Sequence, residues 1–175
     1  MTGPGPAAIT TIVVGVDGSP NSRAATEWAA GLAARLGAVV VAVHALGLLE
    51  QMEPGAQPQP AEAHVPEIDR MFSEEWCAPL AGAGVAHRRE MRYGPPVQVL
   101  LEAAEDENAD LLVVGSRGCG GPSALLLGST SSRLANASGR PVVIVPLPER
   151  PARARPGAER TAATPAAGGD RDAQL

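Results

Sequence analysis

Three glycines and a serine in the second half of the chain are spaced in a way that suits a phosphate group. Gly115 and Gly118 follow an apolar run, and Gly128 and Ser129 come ten residues later, which gives the pattern G-x2-G-x9-G-[ST]. Glycine lets a backbone approach a ligand closely, and the unpaired N–H groups at a helix N-terminus attract phosphate oxygens. The pattern therefore predicts phosphate binding by backbone amides.

Side chains near these glycines extend the same chemistry to a nucleotide. Ser129, Thr130 and Ser131 offer hydroxyl donors, and Arg117 offers a charged donor. Asp17, at the end of the first apolar run, can accept a hydrogen bond from a ribose hydroxyl or an adenine amine. All 14 basic residues are arginine, which excludes a Walker-type phosphate loop, a protein kinase and Schiff-base chemistry, because each needs a lysine.

Apolar runs and helical periodicity alternate along the chain and predict the elements that position these residues. Almost continuous apolar runs, typical of strands buried on both faces, lie at 10–16, 38–46, 110–114 and 141–145, and an alternating run at 85–93 suits an edge strand. Helices are predicted between them: from Pro20 to a stop at Gly37, over 68–80 with an end or kink at Pro79, after Pro96, and over 129–137. This order predicts a doubly wound parallel α/β sandwich, with ligands at the carboxyl ends of the strands.

The length and composition suit one folded domain. Of 175 residues 45% are hydrophobic, but only four are Phe, Tyr or Trp, so Val, Leu, Ile and Ala must build the core. We expect the domain at 10–147, a flexible tail at 1–9, a long surface loop at 47–66 and a disordered tail at 148–175. Trp28, Phe72 and Trp76 recur at helical core spacing and are interpreted as packing residues, and His44 as a core histidine with its hydrogen bonds satisfied.

The charge of the chain and its two cysteines limit the kinds of binding partner and the cellular compartment that we expect. A formal charge of −5 argues against nucleic acid, and the basic cluster at 87–89 is interpreted as a solvated strand face. The N-terminal residues predict no signal peptide, and no apolar run in the sequence is long enough to span a membrane, so a cytoplasmic protein is predicted. Cys77 and Cys119 form no metal-binding spacing and fit a reducing compartment. No metal site is predicted.

The chain resembles the universal stress proteins over about 10–146. The resemblance rests on GVDGS after the first strand, AVHAL in the second, GSRGCGGPSALLLGSTSSRL and the closing PVVIV. It implies a Rossmann-like five-stranded sheet in the order 3-2-1-4-5, of the adenine nucleotide alpha hydrolase-like kind. It also implies binding of ATP or a related adenine nucleotide, with magnesium only as a companion of that nucleotide. A homodimer paired through the last strand, around Val142 and Ile144, is implied as well.

The same resemblance assigns a part of the nucleotide to each matching position. The adenosine would be surrounded by Gly15, Val16 and Asp17, with the backbone of Ala45 at the adenine. The ribose would be bordered by Val114 and Gly115. The phosphates would be held by Gly118, Gly128, Ser129 and Thr130, with Arg117 beside them.

The residues themselves leave other interpretations open. In the alternative interpretation Asp17 and Ser129 serve as helix caps and bind no ligand. The glycines are then turn residues, and Arg117 is a solvated loop residue. The favoured function is a nucleotide-dependent regulatory binding module, because no obvious activator of water lies near the predicted phosphate site. Two alternatives are a slow or self-phosphorylating ATPase and a ligand-free scaffold acting through 47–66 and the C-terminal tail. A receiver domain is excluded, because its acidic pair, its phosphoacceptor aspartate and its lysine are missing. A dinucleotide oxidoreductase fits poorly, because no GxGxxG follows the first strand.

Overall fold

Five parallel strands form a single sheet at the centre of the molecule. The computed structural model describes residues 8–46, 65–118 and 127–147. Its strands are β1 (Thr11–Gly15), β2 (Val39–Leu46), β3 (His87–Tyr93), β4 (Leu111–Gly115) and β5 (Val142–Val145). They lie in the order β3-β2-β1-β4-β5, and every neighbouring pair is parallel. The predicted fold class and strand order are confirmed.

Helices cover both faces of this sheet. They are α1 (Pro20–Leu36), α2 (Val65–Met71), α3 (Ala78–Gly82), α4 (Pro96–Asp106) and α5 (Ser129–Ala137), and a π-helical turn (Phe72–Trp76) lies between α2 and α3. One core lies under α1, the π-helical turn and α3, and the other under α4 and α5. Successive residues of β1 alternate between them: Ile12 and Val14 enter the first core and Val13 the second, as the pleat of a strand requires.

Helix α1 begins and ends where its sequence predicts. Ser19 is the N-cap and its hydroxyl accepts from the amide of Ser22 at 3.1 Å, while Pro20 occupies the first turn. At the other end Gly37 adopts a left-handed conformation (φ 68°), and its amide bonds back to the carbonyl of Ala33. Four of the six buried residues of α1 are alanine and the other two are Ser22 and Thr26, so the helix can lie close to the sheet.

The largest differences from the sequence prediction lie in the second helical region. The helix starts at Val65 rather than 68, inside the predicted loop at 47–66, and it breaks at Cys77. Pro79 therefore lies in the first turn of α3, where its missing N–H is tolerated, instead of ending a helix. The prediction that Trp28 belongs to the core was wrong, because this residue is 40% exposed.

Arg88 and Arg89 of the basic cluster are exposed on the edge strand β3, as predicted for a solvated strand, although successive residues turn to opposite faces of the sheet. Arg92 lies 2.6 Å from Glu90 and 2.7 Å from Asp106, and Arg88 pairs with Glu107. Predictions for the tails, for most of the loop at 47–66 and for Cys119 lie outside the described residues.

Candidate functional site

The carboxyl ends of β1 and β4 lie side by side and bring Asp17 against Gly118. The strands pair through Val14 and Val113, and the segments that follow them leave the sheet at the same edge. The Asp17 carboxylate accepts from the amide of Ser19 through Oδ1 at 3.0 Å. Its Oδ2 lies so close to Gly118 that a Cβ atom built there would stand 2.6 Å away. Residue 118 must therefore be glycine if Asp17 is to keep this position.

The N-terminus of α5 is tied to the end of β4 by two hydrogen bonds. The amide of Gly128 donates to the carbonyl of Ser116 at 2.7 Å, and the Ser131 hydroxyl donates to the same carbonyl at 2.9 Å. A Cβ atom at Gly128 would lie 3.2 Å from the Cα of Arg117, so the two segments touch through their backbones. Gly128 is the N-cap of α5 and has no side chain with which to cap the helix. The N-terminus of α5 is thereby held beside the segment of Arg117 and Gly118 that follows β4.

Gly115 serves the packing of α1 against the end of β4. A Cβ atom at this position would lie 2.6 Å from the carbonyl carbon of Asn21 and 2.7 Å from its oxygen. The hydroxyl of Ser116 also donates to Oδ1 of Asn21 at 3.1 Å. The N-terminus of α1 is thereby held at the same edge as that of α5, so two partial positive charges face it.

The end of β2 extends past the end of β1. Val39 donates its amide to Thr10, and the carbonyl of Val43 accepts from the amide of Val16 at 2.9 Å. Alternate residues of a strand turn their backbone polar groups to the same neighbour. Ala45 therefore directs its N–H and C=O to the β1 side, beyond the point where β1 has ended.

His44 holds the end of β1 from the neighbouring strand. It is 5% exposed, and its Nδ1 lies 2.7 Å from the carbonyl oxygen of Val16. Since a carbonyl can only accept, Nδ1 carries the proton in this contact. Burial lowers the pKa of His44 below its ordinary 6.5, although the bond to Val16 and the charge of Asp17 oppose that shift. Within the described part of the chain the other ring nitrogen, Nε2, has no hydrogen-bond partner. Of the two ring nitrogens that were expected to be hydrogen-bonded, only Nδ1 is.

An aromatic side chain that the sequence prediction assigned to the core lies at this edge. The Trp76 indole packs 5.1 Å from the His44 ring, and a Cβ atom at Gly18 would lie 2.7 Å from it. Gly18 has φ 78°, a conformation that favours glycine. A π-helical turn is frequent at functional sites, but nothing in the spacing of apolar residues revealed the one that carries Trp76.

The twelve predicted site residues gather at one edge of the sheet, but they differ in what they expose. Gly118 and Ser129 are exposed, and Asp17, Arg117, Gly128 and Thr130 are half-buried, as are Gly15, Ala45 and Gly115. Val16 and Val114 are buried, so only their backbones can border a ligand. The prediction that the Ser131 hydroxyl binds phosphate is corrected by the structure. Ser131 is 2% exposed, and its hydroxyl donates to the carbonyls of Ser116 and Gly128, so it fixes the N-terminus of α5.

Comparison with known proteins identifies the family to which this fold belongs. The model of the Universal stress protein family matches residues 8–146. The chain belongs to this family. A universal stress protein of Mycolicibacterium smegmatis is 36% identical over 137 residues, which cover 77% of this chain and 45% of that protein. The chain thus spans about half the length of the mycobacterial relatives it matches.

Two further universal stress proteins match along most of their length. One from Methanocaldococcus jannaschii is 30% identical over 146 residues, covering 79% of this chain and 83% of that protein. A universal stress protein solved in complex with cAMP is 30% identical, with a TM-score of 0.61 over 79% of this chain and 98% of that one.

Neither a metal cluster nor a membrane span is found in residues 8–46, 65–118 and 127–147. No three His, Cys, Asp or Glu side chains among them are grouped as metal ligands would be. No helix among them combines the length and the apolar composition that crossing a bilayer needs.

Proposed function

We propose that this universal stress protein binds ATP or a related adenine nucleotide at the carboxyl edge of β1, β2 and β4, and that occupancy regulates its conformation or its partners. The observation that carries the proposal is that Asp17 lies against Gly118 and that the N-terminus of α5 is bonded to the chain just before Gly118. A universal stress protein 30% identical to this chain forms a complex with cAMP, which supports the choice of an adenine nucleotide.

Each part of the edge suits one part of the nucleotide. The first-turn amides of α5, with the Ser129 and Thr130 hydroxyls, suit the phosphates, and Arg117 adds charge beside them. The Asp17 carboxylate suits the ribose hydroxyls. Ala45 presents backbone N–H and C=O groups, the pair that the edge of an adenine ring can match. The remaining contacts fall to the backbones around Gly15, Val16, Val114 and Gly115.

Magnesium enters this proposal only with the nucleotide. The edge offers amides, hydroxyls and an arginine, which are donors for an anion, and Asp17 is the acidic side chain placed there. Such a set fits phosphates and does not form the all-oxygen cage that binds magnesium by itself. When bound, magnesium would neutralise part of the phosphate charge.

The proposed assembly is a homodimer paired through β5 in a cytoplasmic protein. β5 is an edge strand, and its apolar residues Val142 and Ile144 are half-buried. An unpaired apolar edge favours pairing with another strand. Light scattering of Ile144→Lys against the wild type tests the dimer: a wild-type mass of one chain rejects it. Cell fractionation tests the compartment.

Calorimetric titration with ATP, cAMP and GTP tests the binding site. Gly118→Ala places a methyl group on the Asp17 carboxylate, so ATP affinity should fall about tenfold, equivalent to losing one or two hydrogen bonds. Gly139→Ala is the matched control, because a Cβ atom there meets nothing within 4 Å. If titration with any of these nucleotides to millimolar concentration releases or absorbs no heat of binding, nucleotide binding is rejected and the scaffold hypothesis is favoured.

Phosphate release separates binding from turnover. As a regulatory module the wild type should release no more phosphate than its Asp17→Ala and Gly118→Ala variants. Steady release that both substitutions abolish would instead establish the slow ATPase. Mass measurement of Ser129 and its serine neighbours after incubation with ATP distinguishes self-phosphorylation.

A further inference from the structure

His44 connects the end of β2 to the turn that carries Asp17. Its Nδ1–H donates to the carbonyl of Val16, one residue before Asp17, at the point where the ladder between β1 and β2 stops. The amide of Asp17 is in turn held by the hydroxyl of Ser22 at 3.3 Å. The imidazole therefore fixes the start of the β1–α1 turn (Val16–Ser19). Its second nitrogen, Nε2, takes no part in this contact.

The other side of the imidazole meets an aromatic wall. Phe72 and Trp76 of the π-helical turn lie 6.0 and 5.1 Å from the His44 ring. The same Trp76 indole rests on Gly18 in the β1–α1 turn. Nε2 is an unprotonated acceptor in these apolar surroundings. A proton added there would create a buried N–H with no acceptor among the described residues, and burying such a charge is costly.

We propose that His44 is a positioning residue for the proposed nucleotide site and makes nucleotide binding acid-sensitive. Neutral His44 holds the Val16 carbonyl and keeps the β1–α1 turn, with Asp17, in the arrangement that binds. When Nε2 takes a proton from solvent, the imidazolium leaves the aromatic wall, the bond to Val16 is lost, and the turn and Trp76 move together. This inference rests on the proposed function for its ligand, but the movement of Trp76 does not require one.

Among the charged groups around His44, Asp17 favours a proton on the ring, but its charge does not outweigh the effect of burial. Asp17 is the acidic neighbour on the β1 side, and its Oδ1 is committed to the amide of Ser19. From β3, Arg89 lies over the Phe72 ring and would repel an imidazolium. On the helical side, burial keeps Cys77 protonated, with its pKa raised to about 11. Glu74 and Glu75 of the π-helical turn are in exposed ion pairs with an arginine.

The direction of the pH effect follows from this environment. Burial lowers the pKa of His44 in the folded chain below 6.5. The binding form therefore dominates at neutral pH and is lost as the pH falls through that lowered value. Below it, the dissociation constant should rise by up to about tenfold per pH unit, as expected for a single proton that excludes the ligand.

Two substitutions at position 44 separate a titrating residue from a merely structural one. His44→Asn keeps a side-chain N–H at the place of Nδ1 and cannot titrate, so at pH 8 it should bind ATP within about twofold of the wild type. His44→Leu keeps apolar volume without a donor and should bind about fivefold more weakly, the loss of one hydrogen bond. Between pH 8 and pH 5 the wild type should weaken relative to His44→Asn. That ratio cancels the protonation of ATP itself.

A second measurement follows Trp76 without nucleotide. In a Trp28→Phe background Trp76 is the one remaining tryptophan, and its emission should change with pH in the wild type and stay constant in His44→Asn. Parallel affinity profiles of wild type and His44→Asn would overturn the inference, as would unaltered binding by His44→Leu. If the wild type binds no ATP at any pH, the proposed function fails and acid-sensitive binding fails with it. A constant Trp76 emission would overturn the conformational step in either case.

Discussion

Replacing Gly115 by alanine should destabilise the fold through a collision between two pieces of backbone. The new methyl carbon would stand 2.6 Å from the carbonyl carbon of Asn21, whereas carbon atoms in good contact lie about 3.5–4.0 Å apart. Helix α1 would have to move outward by about 1 Å, and the hydrogen bond from Ser116 to Asn21 would lengthen from 3.1 Å. Overpacking of this kind costs about 1–3 kcal/mol, and we expect about 3 kcal/mol because backbone cannot rotate away.

Urea unfolding followed by far-ultraviolet circular dichroism measures this cost. Gly115→Ala should lower the midpoint with an unchanged slope, and its melting temperature should fall by about 10 °C for a chain of this size. Gly139→Ala, whose Cβ atom meets nothing within 4 Å, is the control. Gly118→Ala should lie between them, near 1 kcal/mol, since it displaces only the end of the Asp17 side chain. A Gly115→Ala protein within about 0.5 kcal/mol of Gly139→Ala would refute the reasoning.

Three other outcomes follow from buried polar groups. Ser131→Ala should cost about 1 kcal/mol in urea unfolding, because its hydroxyl bonds two backbone carbonyls, and an unchanged midpoint would contradict that role. The unfolded chain takes up a proton at His44 before the folded chain does, so stability relative to His44→Asn should fall by up to about 1.4 kcal/mol per pH unit below pH 6.5; equal pH dependence would refute it. In a Cys119→Ser protein, the thiol of Cys77 should resist a disulfide reagent at pH 8 until urea unfolds the chain, since burial raises its pKa to about 11; prompt labelling would show an accessible thiolate.

The element order could be predicted because each element carries a local pattern. Ser19, Pro20 and Gly37 mark the ends of α1 by backbone chemistry that acts within a few residues. The position of Trp28 is different. The buried face of α1 consists of small residues, mostly alanine, that let the helix approach the sheet. Trp28 lies beside that contact and is 40% exposed. Helical spacing alone does not distinguish the side of a helix from its underside.

The gathering of site residues was predictable for a related reason, and its details were not. Parallel strands end at one edge, so residues following β1 and β4 must come close. The unpartnered Nε2 of His44 depends on which side chains reach it from the π-helical turn. That turn begins twenty-eight positions later in the chain, with Phe72, and long-range contacts of this kind leave no local pattern.

The three spaced glycines have separate physical reasons, and these reasons decide what the pattern can say about function. Gly115 makes room for the backbone of α1, so the fold requires it whether or not a nucleotide binds. Gly128 is in tight contact with the backbone of Arg117, which would have to move by a few tenths of an ångström to admit a side chain. Gly118 makes room for the end of the Asp17 carboxylate and is itself exposed. A chain that had lost its ligand would be free to replace Gly118 and Ser129 while keeping Gly115. Substitutions at those two exposed positions therefore separate binding from folding, and substitutions at Gly115 cannot.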